Sequence, residues 1–247
     1  MKIVVTVPTY NEIENIEALV TDILSRDDRI EVLVADDNSP DGTWEAVGKM
    51  SETNPRVHLL HRTTDRGRGR AGAAAFVWSL DHGADIVFEM DADFSHHPRY
   101  LPAMLVALEK GADVVLGSRH VPGGKDIGRS LWRQWLTRAS NHYVKFVLSL
   151  PVQDCNSGFR GWTSKALQLV RVHDTFSPGP AIVHELLYKA RQRKLTMTEI
   201  PIEFVDRELG TSTLSFQTLI RSYVTILRLR FMGLSGSLFR RPDEQPS

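Results

Sequence analysis

The chain has 247 residues, of which 42% are hydrophobic and 24% charged, a balance typical of a globular protein with a sizeable core. Its 30 basic and 30 acidic residues leave no net charge, which disfavours nucleic-acid binding through bulk attraction. A single cysteine, Cys155, excludes an internal disulfide. The first apolar run, residues 3–7, is too short for a signal-peptide core, and no run reaches the roughly 18 residues of a membrane span, so we expect a cytoplasmic protein.

Short apolar runs alternate with helix-like stretches, which predicts βα units around a mainly parallel sheet. The expected strands are residues 2–7, 30–35, 57–61, 85–90 and 113–116. A helix is expected over residues 11–24, with Asn11 as its N-cap and Glu14 three residues later. Residues 197–205 are expected to form another strand, which Pro201 places at a sheet edge or at a bulge.

Polar residues follow three of these strands. The segments are Pro8-Thr9-Tyr10-Asn11-Glu12, Asp36-Asp37-Asn38-Ser39 with the turn sequence Pro40-Asp41-Gly42, and Asp91-Ala92-Asp93. Ligands of open α/β sheets bind beyond the carboxyl ends of the strands, so these clusters predict a ligand site there. The alternative interpretation is that Asp, Asn and Pro occur here because they favour loops. Asp91 and Asp93 also suit one divalent ion that is shared with phosphate oxygens, an arrangement typical of Mg²⁺.

These segments resemble the motifs of glycosyltransferase family 2. They are more narrowly similar to its dolichol-phosphate (polyprenol-phosphate) mannosyltransferases. The features specific to that branch and its near relatives are residues 91–98, Asp-Ala-Asp-Phe-Ser-His-His-Pro, in combination with residues 204–207, Phe-Val-Asp-Arg. Further matches follow in order: Gly117-Ser118-Arg119, Arg138-Ala139-Ser140-Asn141, Asp154 with Ser157-Gly158-Phe159-Arg160, and Phe204-Val205-Asp206-Arg207. The resemblance spans about residues 3–213. It implies an α/β GT-A (Rossmann-like) domain over residues 1–213, followed by an amphipathic basic tail over residues 214–247.

The resemblance implies an inverting glycosyltransferase that moves mannose from GDP-mannose to the phosphate of a polyprenyl (dolichyl-type) phosphate. The cofactor would be Mg²⁺ or Mn²⁺, and the protein would be peripheral at the cytoplasmic face of a membrane. One alternative is transfer of glucose or another sugar from a UDP-sugar, to polyprenyl phosphate or to a glycan. A glycan acceptor needs an Asp or Glu base, which a phosphate acceptor does not. Another alternative is a nucleotide-sugar-binding module without turnover.

The resemblance also assigns roles to individual residues. The donor-binding residues would be Pro8, Tyr10, Glu12, Val34, Asp36, Asp91, Ala92, Asp93, Arg119 and Arg207. Of these, residues 8, 10 and 12 would contact the nucleoside, and residues 34 and 36 the base and ribose. The principal metal ligand would be Asp93, beside Asp91, and the catalytic residues would be Asp93, Arg119 and Arg207.

The acceptor phosphate calls for arginine, whose planar guanidinium binds phosphate in two places. Four arginines are available, at positions 119, 129, 133 and 138, and we favour Arg119 with Arg133. The alternative for Arg129 and Arg133, four residues apart, is one solvated helix face. Two positions depart from the family pattern: His120 stands where Tyr is common, and Thr213 where many relatives have a Lys that contacts phosphate.

The tail combines apolar residues at mostly helical spacing with arginines at positions 221, 228 and 230. The apolar residues are Phe216, Leu219, Ile220, Tyr223, Val224, Ile226, Leu227 and Phe231. Such a segment is able to lie in a membrane interface, to pack against the domain, or to dock on a membrane-embedded partner.

Three further features have two interpretations each. The arginine- and glycine-rich residues 62–72 are either a loop beside a diphosphate or a patch for RNA, and the neutral net charge favours the loop. His96 and His97 are either metal ligands or part of the packing of their loop, and we favour packing. Cys155 is expected to be a buried apolar residue rather than a nucleophile, because no paired base is visible in the sequence.

Overall fold

A computed structural model of the chain describes residues 1–177, 179–205 and 216–239, with side chains in the last range from residue 223. The strands are β1 (Ile3–Thr9), β2 (Ile30–Asp36), β3 (Val57–His61), β4 (Ile86–Glu89), β5 (Val114–Ser118), β6 (Lys125–Ile127), β7 (Arg160–Thr163), β8 (Met197–Pro201) and β9 (Glu203–Val205). The helices are α1 (Ile16–Leu24), α2 (Thr43–Thr53), α3 (Arg68–Asp81), α4 (Leu101–Glu109), α5 (Leu131–Leu148), α6 (Ser164–Leu169), α7 (Ala181–Gln192) and α8 (Phe216–Leu234).

In the described residues, the main sheet has seven strands in the order β3-β2-β1-β4-β7-β5-β8, and β6 pairs with β9 in a small second sheet. In the main sheet β7 runs antiparallel to β4 and β5, whereas the other pairs are parallel. Both faces of the sheet are buried, because Val4 belongs to one apolar cluster while Ile3 and Val5 belong to another. The predicted α/β fold with a mainly parallel sheet is confirmed.

The five strands predicted from apolar runs are confirmed to within two residues at each end. Residues 197–205 form two strands instead of one: β8 ends at Pro201 on the edge of the main sheet, and β9 pairs with β6. The edge position of Pro201 is therefore confirmed. The antiparallel strand β7 was not predicted, because its sequence Arg-Gly-Trp-Thr carries a charge and a glycine in only four residues.

The first helix begins later than predicted. It begins at Ile16 rather than after Asn11, and the N-cap is Asn15. Asn11 has φ 60°, a left-handed conformation that Asn tolerates, and its N–H donates to Ser39 Oγ at 3.0 Å. The N-cap prediction for Asn11 is wrong, since the β1–α1 loop is anchored to the neighbouring loop. The turn after β2 is confirmed, and Gly42 takes φ 94° there.

The C-terminal tail contains a helix, as predicted, and it contacts the domain. Ile226 and Leu229 of α8 are buried in the core cluster, and α8 packs against α5 and α7. Val224 and Phe231 are exposed on the same helix, so α8 is amphipathic where its side chains are described. A domain boundary at residue 213 falls outside the described residues and stays a prediction. No helix in the described part of the chain is both long and apolar enough to cross a membrane.

Candidate active site

Because β1, β2 and β4 are adjacent and parallel, their carboxyl ends bring the predicted polar segments together. Asp36 is fully buried and accepts hydrogen bonds from Thr9 Oγ1 at 2.9 Å, from the Ser39 N–H at 2.8 Å and from Ser39 Oγ at 2.6 Å. Its carboxylate therefore ties the loops after β1 and β2 together. Glu12 is fixed in the same place, because its N–H donates to Thr43 Oγ1 at 3.0 Å.

The arginine-rich segment after β3 lies beside these loops. Arg62 forms an ion pair with Asp37, and the same carboxylate accepts the Gly67 N–H at 2.6 Å. The Arg66 guanidinium lies 5.3 Å from the centre of the exposed Tyr10 ring. These contacts place residues 62–67 over the strand ends, as the loop interpretation predicts. The predicted loop is shorter than expected, because residues 68–72 form the start of α3.

The Asp91-Ala92-Asp93 motif follows β4 directly. Arg68, the first residue of α3, forms an ion pair with Asp91, and Asp93 Oδ1 accepts the Ser95 N–H at 3.0 Å. In the described residues no group of three His, Cys, Asp or Glu side chains is placed to hold a metal ion. A hard divalent ion commonly takes one or two carboxylates from the protein and its remaining ligands from phosphate and water. The role of Asp91 and Asp93 as metal ligands stays a prediction.

His96 is a buried neighbour of this motif. Its Nδ1 lies 3.5 Å from an Asp91 oxygen, and burial lowers the pKa of the imidazole, which favours its neutral form. A Cβ on Gly158 would lie only 3.1 Å from Arg68 Nη2 and 3.5 Å from Asp91 Oδ2. The backbone of the Ser-Gly-Phe-Arg motif therefore passes close to the acidic motif, and glycine leaves the space between them open.

Arg119 is held in place by a buried carboxylate. Arg119 donates two hydrogen bonds to Asp154, from Nε at 2.7 Å and from Nη2 at 2.8 Å, and both side chains are buried. Burial alone would raise the pKa of Asp154, but the hydrogen bonds and charge of Arg119 outweigh it and hold that pKa below its usual value. The pair is therefore ionised at neutral pH.

Phe204 connects the arginine to the acidic motif. Its ring contacts the His96 ring edge-on at 5.4 Å between centroids, and the Arg119 and Arg129 guanidinium carbons lie 5.1 and 5.7 Å from its centre. The structure thus brings the Phe-Val-Asp-Arg motif against both the acidic motif and the Gly-Ser-Arg motif, which lie more than 80 residues earlier in the chain. Carboxylates suited to a cation, and arginines suited to an anion, line one site.

The match to known families decides the identity. Residues 4–170 match the model of glycosyl transferase family 2. The chain belongs to this family. It is 36% identical over 242 residues to the undecaprenyl-phosphate mannosyltransferase of Micrococcus luteus, covering 96% of this chain and 99% of the relative. It is 37% identical over 238 residues to the polyprenol monophosphomannose synthase of Mycolicibacterium smegmatis, covering 96% and 88%.

Solved structures confirm the GT-A fold of this family 2 glycosyltransferase. Glucosyl-3-phosphoglycerate synthase from Mycobacterium tuberculosis, in complex with phosphoglyceric acid, superposes with a TM-score of 0.67 at 18% identity, over 98% of this chain and 81% of that one. The same synthase in complex with Mn²⁺, UDP and phosphoglyceric acid gives a TM-score of 0.65 at 18% identity, over 98% and 80%. At this identity the likeness concerns the fold.

The remaining predicted site residues of the family 2 enzyme lie in different surroundings. Val34 is fully buried within β2 and belongs to the apolar core, and Ala92 is buried between the two aspartates. Arg133 is exposed on α5. Arg207 and Thr213 lie outside the described residues. The ligand contacts assigned to these positions, and to Pro8, Tyr10 and Glu12, stay predictions.

Sequence reasoning missed two ion pairs of the site, Arg62 with Asp37 and Arg68 with Asp91. Both join the arginine-rich segment to a strand end 23 or 25 residues away. The sequence did contain a signal for these ion pairs: a cluster of arginines follows β3, and acidic residues follow β2 and β4. The choice of partners depends on the order of strands in the sheet, which the sequence does not state.

Cys155 is the buried residue that the sequence predicts. Burial raises the pKa of its thiol to about 12, so the thiolate required for nucleophilic attack is scarce at neutral pH. We expect a thiol reagent such as Ellman's reagent to label less than a tenth of the native protein in the time that labels the urea-unfolded protein fully. Equal labelling rates with and without urea would contradict the burial of Cys155.

Proposed function

We propose that this glycosyltransferase moves mannose from GDP-mannose to the phosphate of a polyprenyl phosphate at the cytoplasmic face of a membrane. The proposal is supported by the two relatives, one named for undecaprenyl phosphate and mannose and the other for polyprenol monophosphomannose. The observation that carries it is the position of Arg119. This guanidinium is held by Asp154 beside Phe204 and His96, next to the acidic motif where a nucleotide diphosphate would lie.

The donor end of the site would use the strand ends. Tyr10 and Glu12 would contact the nucleoside, together with Pro8, while Asp36 holds their loop in place through Thr9. The Asp36 carboxylate accepts hydrogen bonds from Ser39 and Thr9. Besides contacting the ribose, Asp36 would therefore support donor binding by holding these loops in position.

Asp93, with Asp91, would hold Mg²⁺ or Mn²⁺. When bound, such an ion neutralises charge on the diphosphate that leaves. A pair of carboxylates fits an ion that arrives with a diphosphate, because Mg²⁺ commonly takes one or two carboxylates together with phosphate oxygens. Arg207 of the Phe-Val-Asp-Arg motif would add a guanidinium on the same side, and it lies outside the described residues.

The acceptor chemistry requires positioning more than proton transfer. The second pKa of a phosphate monoester is about 6, so the acceptor is largely a dianion at neutral pH. A phosphate oxygen attacks the anomeric carbon, the bond from that carbon to the oxygen of the GDP β-phosphate breaks, and GDP leaves with the electron pair. Arg119 and Arg133 would hold the attacking phosphate in line, so the configuration inverts without a protein base.

A transfer assay tests this function. Radiolabelled GDP-mannose and UDP-glucose are offered in parallel with a short-chain polyprenyl phosphate and Mg²⁺, and a chelated control is run beside them. We expect label in the lipid from GDP-mannose alone, and none with chelator. Label from UDP-glucose alone would overturn the donor, and metal-independent transfer would overturn the role of the acidic motif.

Arg68 should compete with the metal, because its guanidinium pairs with the Asp91 carboxylate that the ion needs. We expect Arg68→Met to tighten Mn²⁺ binding roughly fivefold without nucleotide, as removal of a partly exposed ion pair implies. Electron paramagnetic resonance of free Mn²⁺ measures the Kd. Arg70→Met is the matched control, since Arg70 pairs instead with Asp65 at 2.7 Å. An equal Kd in both variants and the wild type would contradict the competition.

A further inference from the structure

The loop that carries Asp154 is held in place by side chains from other elements. Residues 149–159 lie between α5 and β7, outside any helix or strand. Four backbone groups around Asp154 are bonded instead to two side chains, those of Glu199 and Asn141. Backbone polar groups outside regular structure need such partners, because leaving them unpaired is costly. These two side chains therefore determine where the backbone of Asp154 lies.

Glu199, on the edge strand β8, accepts two of these hydrogen bonds. One carboxylate oxygen accepts the Gln153 N–H at 2.7 Å, and the other accepts the Asp154 N–H at 3.0 Å. Bonds from an N–H to a carboxylate are charge-assisted and stronger than those between neutral groups. In the sheet register Glu199 lies opposite Leu116 of β5, three residues before Arg119. Glu199 therefore ties the loop of Asp154 to the pair of strands that leads to Arg119.

Asn141, on α5, makes the other two hydrogen bonds. Its amide nitrogen donates to the Gln153 carbonyl, and its amide oxygen accepts the Cys155 N–H at 2.7 Å. Asn141 is buried, so loss of its amide would leave backbone groups without a partner. The same helix carries Arg133, about two turns earlier. Asn141 therefore ties the helix of Arg133 to the loop of Asp154.

The fixed loop in turn orients Arg119. Asp154 accepts three hydrogen bonds from this arginine: from its backbone N–H at 3.1 Å, from Nε at 2.7 Å and from Nη2 at 2.8 Å. Two parallel bonds to one carboxylate fix the plane of a guanidinium, so the guanidinium follows any movement of the carboxylate. A displacement of about 1 Å in a substrate-positioning group is enough to slow a reaction about 10²-fold. The anchoring of the Asp154 backbone is therefore relevant to the reaction.

We propose that Glu199 and Asn141 are positioning residues for the acceptor phosphate. They act through Asp154, which sets the direction of the Arg119 guanidinium. Asn141 also sets the distance between the two proposed phosphate ligands, Arg119 and Arg133, because it joins the loop to α5. The inference deepens the proposed function and rests on it for the identity of the ligand that Arg119 binds.

A loss confined to the acceptor is the kinetic signature of this role. Glu199→Gln keeps one of two acceptor oxygens and should lower kcat/KM for a short-chain polyprenyl phosphate roughly tenfold, as loss of a hydrogen bond to a charged group implies. Asn141→Asp replaces the donor amide with a second oxygen and should have a similar effect. The KM for GDP-mannose should stay within twofold. The matched control is Glu31→Gln, a partly buried glutamate on β2 that pairs with Lys2 at 3.0 Å, which should behave like the wild type.

A double-mutant cycle separates positioning from a general loss of structure. In an Arg119→Lys background the bidentate contact is already lost, so adding Glu199→Gln should lower kcat/KM by less than a further factor of two. Hydrogen exchange in a peptide that spans residues 153–155 should be at least tenfold faster in Glu199→Gln than in the wild type. Losses that multiply in the double variant, an equal rise in the KM for GDP-mannose, or unchanged exchange would overturn the inference.

Binding without turnover distinguishes this inference from the proposed function. Isothermal titration calorimetry gives the Kd of the short-chain polyprenyl phosphate in the absence of donor. If Glu199→Gln raises that Kd and Glu31→Gln does not, in a protein that transfers no mannose, the proposed function alone is refuted. If the Kd and kcat/KM of the acceptor are unchanged in a protein that does transfer mannose, the positioning role alone is refuted.

Discussion

Replacing Asp93 with alanine should abolish mannosyl transfer and leave the fold intact. The carboxylate lies just beyond β4, and we propose that it is the principal ligand of the ion that neutralises the leaving diphosphate. Loss of that ion removes several kcal/mol of transition-state stabilisation. The value of kcat should therefore fall by a factor of about 10³ or more. The measurement is kcat with GDP-mannose and a short-chain polyprenyl phosphate, together with thermal unfolding.

Two companion variants separate chemistry from folding. Asp93→Asn keeps an oxygen that accepts the Ser95 N–H and should be as inactive as the alanine variant. Asp65→Ala removes an exposed carboxylate in the neighbouring loop, where it pairs with Arg70, and should keep near-normal activity. Transfer by Asp93→Ala at a tenth of the wild-type rate or more would refute the metal assignment.

Asp154→Ala should be the most destabilising single change in the site. Asp154 is fully buried, and its removal leaves the buried Arg119 guanidinium without its carboxylate. Breaking a buried ion pair on one side costs about 3–5 kcal/mol of unfolding free energy. Transfer should fall as well, because Arg119, which we propose binds the acceptor phosphate, loses the two hydrogen bonds that hold its guanidinium in place. Urea unfolding and kcat measure the two effects.

The stability that Asp154 contributes should depend on pH. Arg119 holds the pKa of Asp154 below its usual value in the folded protein. The pair therefore stabilises the fold fully above the unfolded pKa of about 4, and its contribution is lost as pH falls through the lower folded pKa. The stability difference between wild type and Asp154→Ala should be constant from about pH 5 to 8 and shrink below about pH 4.

An exposed ion pair serves as the control for Asp154. Asp27 pairs with Arg29 at 2.7 Å at the surface, where solvent screens the attraction. Asp27→Ala should leave the urea midpoint and the transfer rate nearly unchanged. A loss of stability in Asp154→Ala no larger than that in Asp27→Ala would contradict the role of burial.

The sequence predicts the parts of this fold that depend on local pattern. Apolar runs locate five strands, because strands of a sheet that is covered on both faces are mostly apolar. The edge strand β3 is the least apolar of them, with two histidines in five residues. The acidic strand ends are also readable, since parallel strands place them at one edge. Strand β7 was not predicted because it contains a charged residue, Arg160, which local sequence rules do not place in a sheet. Its charge is balanced by an ion pair with Glu89 of β4, 71 residues earlier in the chain.

In the candidate site, too, the local motifs were predictable from the sequence and the tertiary contacts were not. Asp91 and Asp93 are visible as a motif, whereas the partners that orient the site, Arg68 for Asp91 and Asp154 for Arg119, depend on tertiary contacts. The exposed apolar face of helix α5 was not predicted, for a different reason. Its apolar and basic residues interleave, so the pattern alone does not tell a buried face from an exposed one, and its two tryptophans appear as surface only once the core is known.

The most direct test of the proposed reaction compares acceptors for one labelled donor. Purified protein receives GDP-mannose with polyprenyl phosphate, with the corresponding polyprenol, or with a mannose-terminated glycan, all in detergent with Mg²⁺. We expect label in the phosphate acceptor alone, because we propose that arginines of the site bind a dianion that needs no base. Label in the polyprenol or the glycan, or in none of the three, would contradict it.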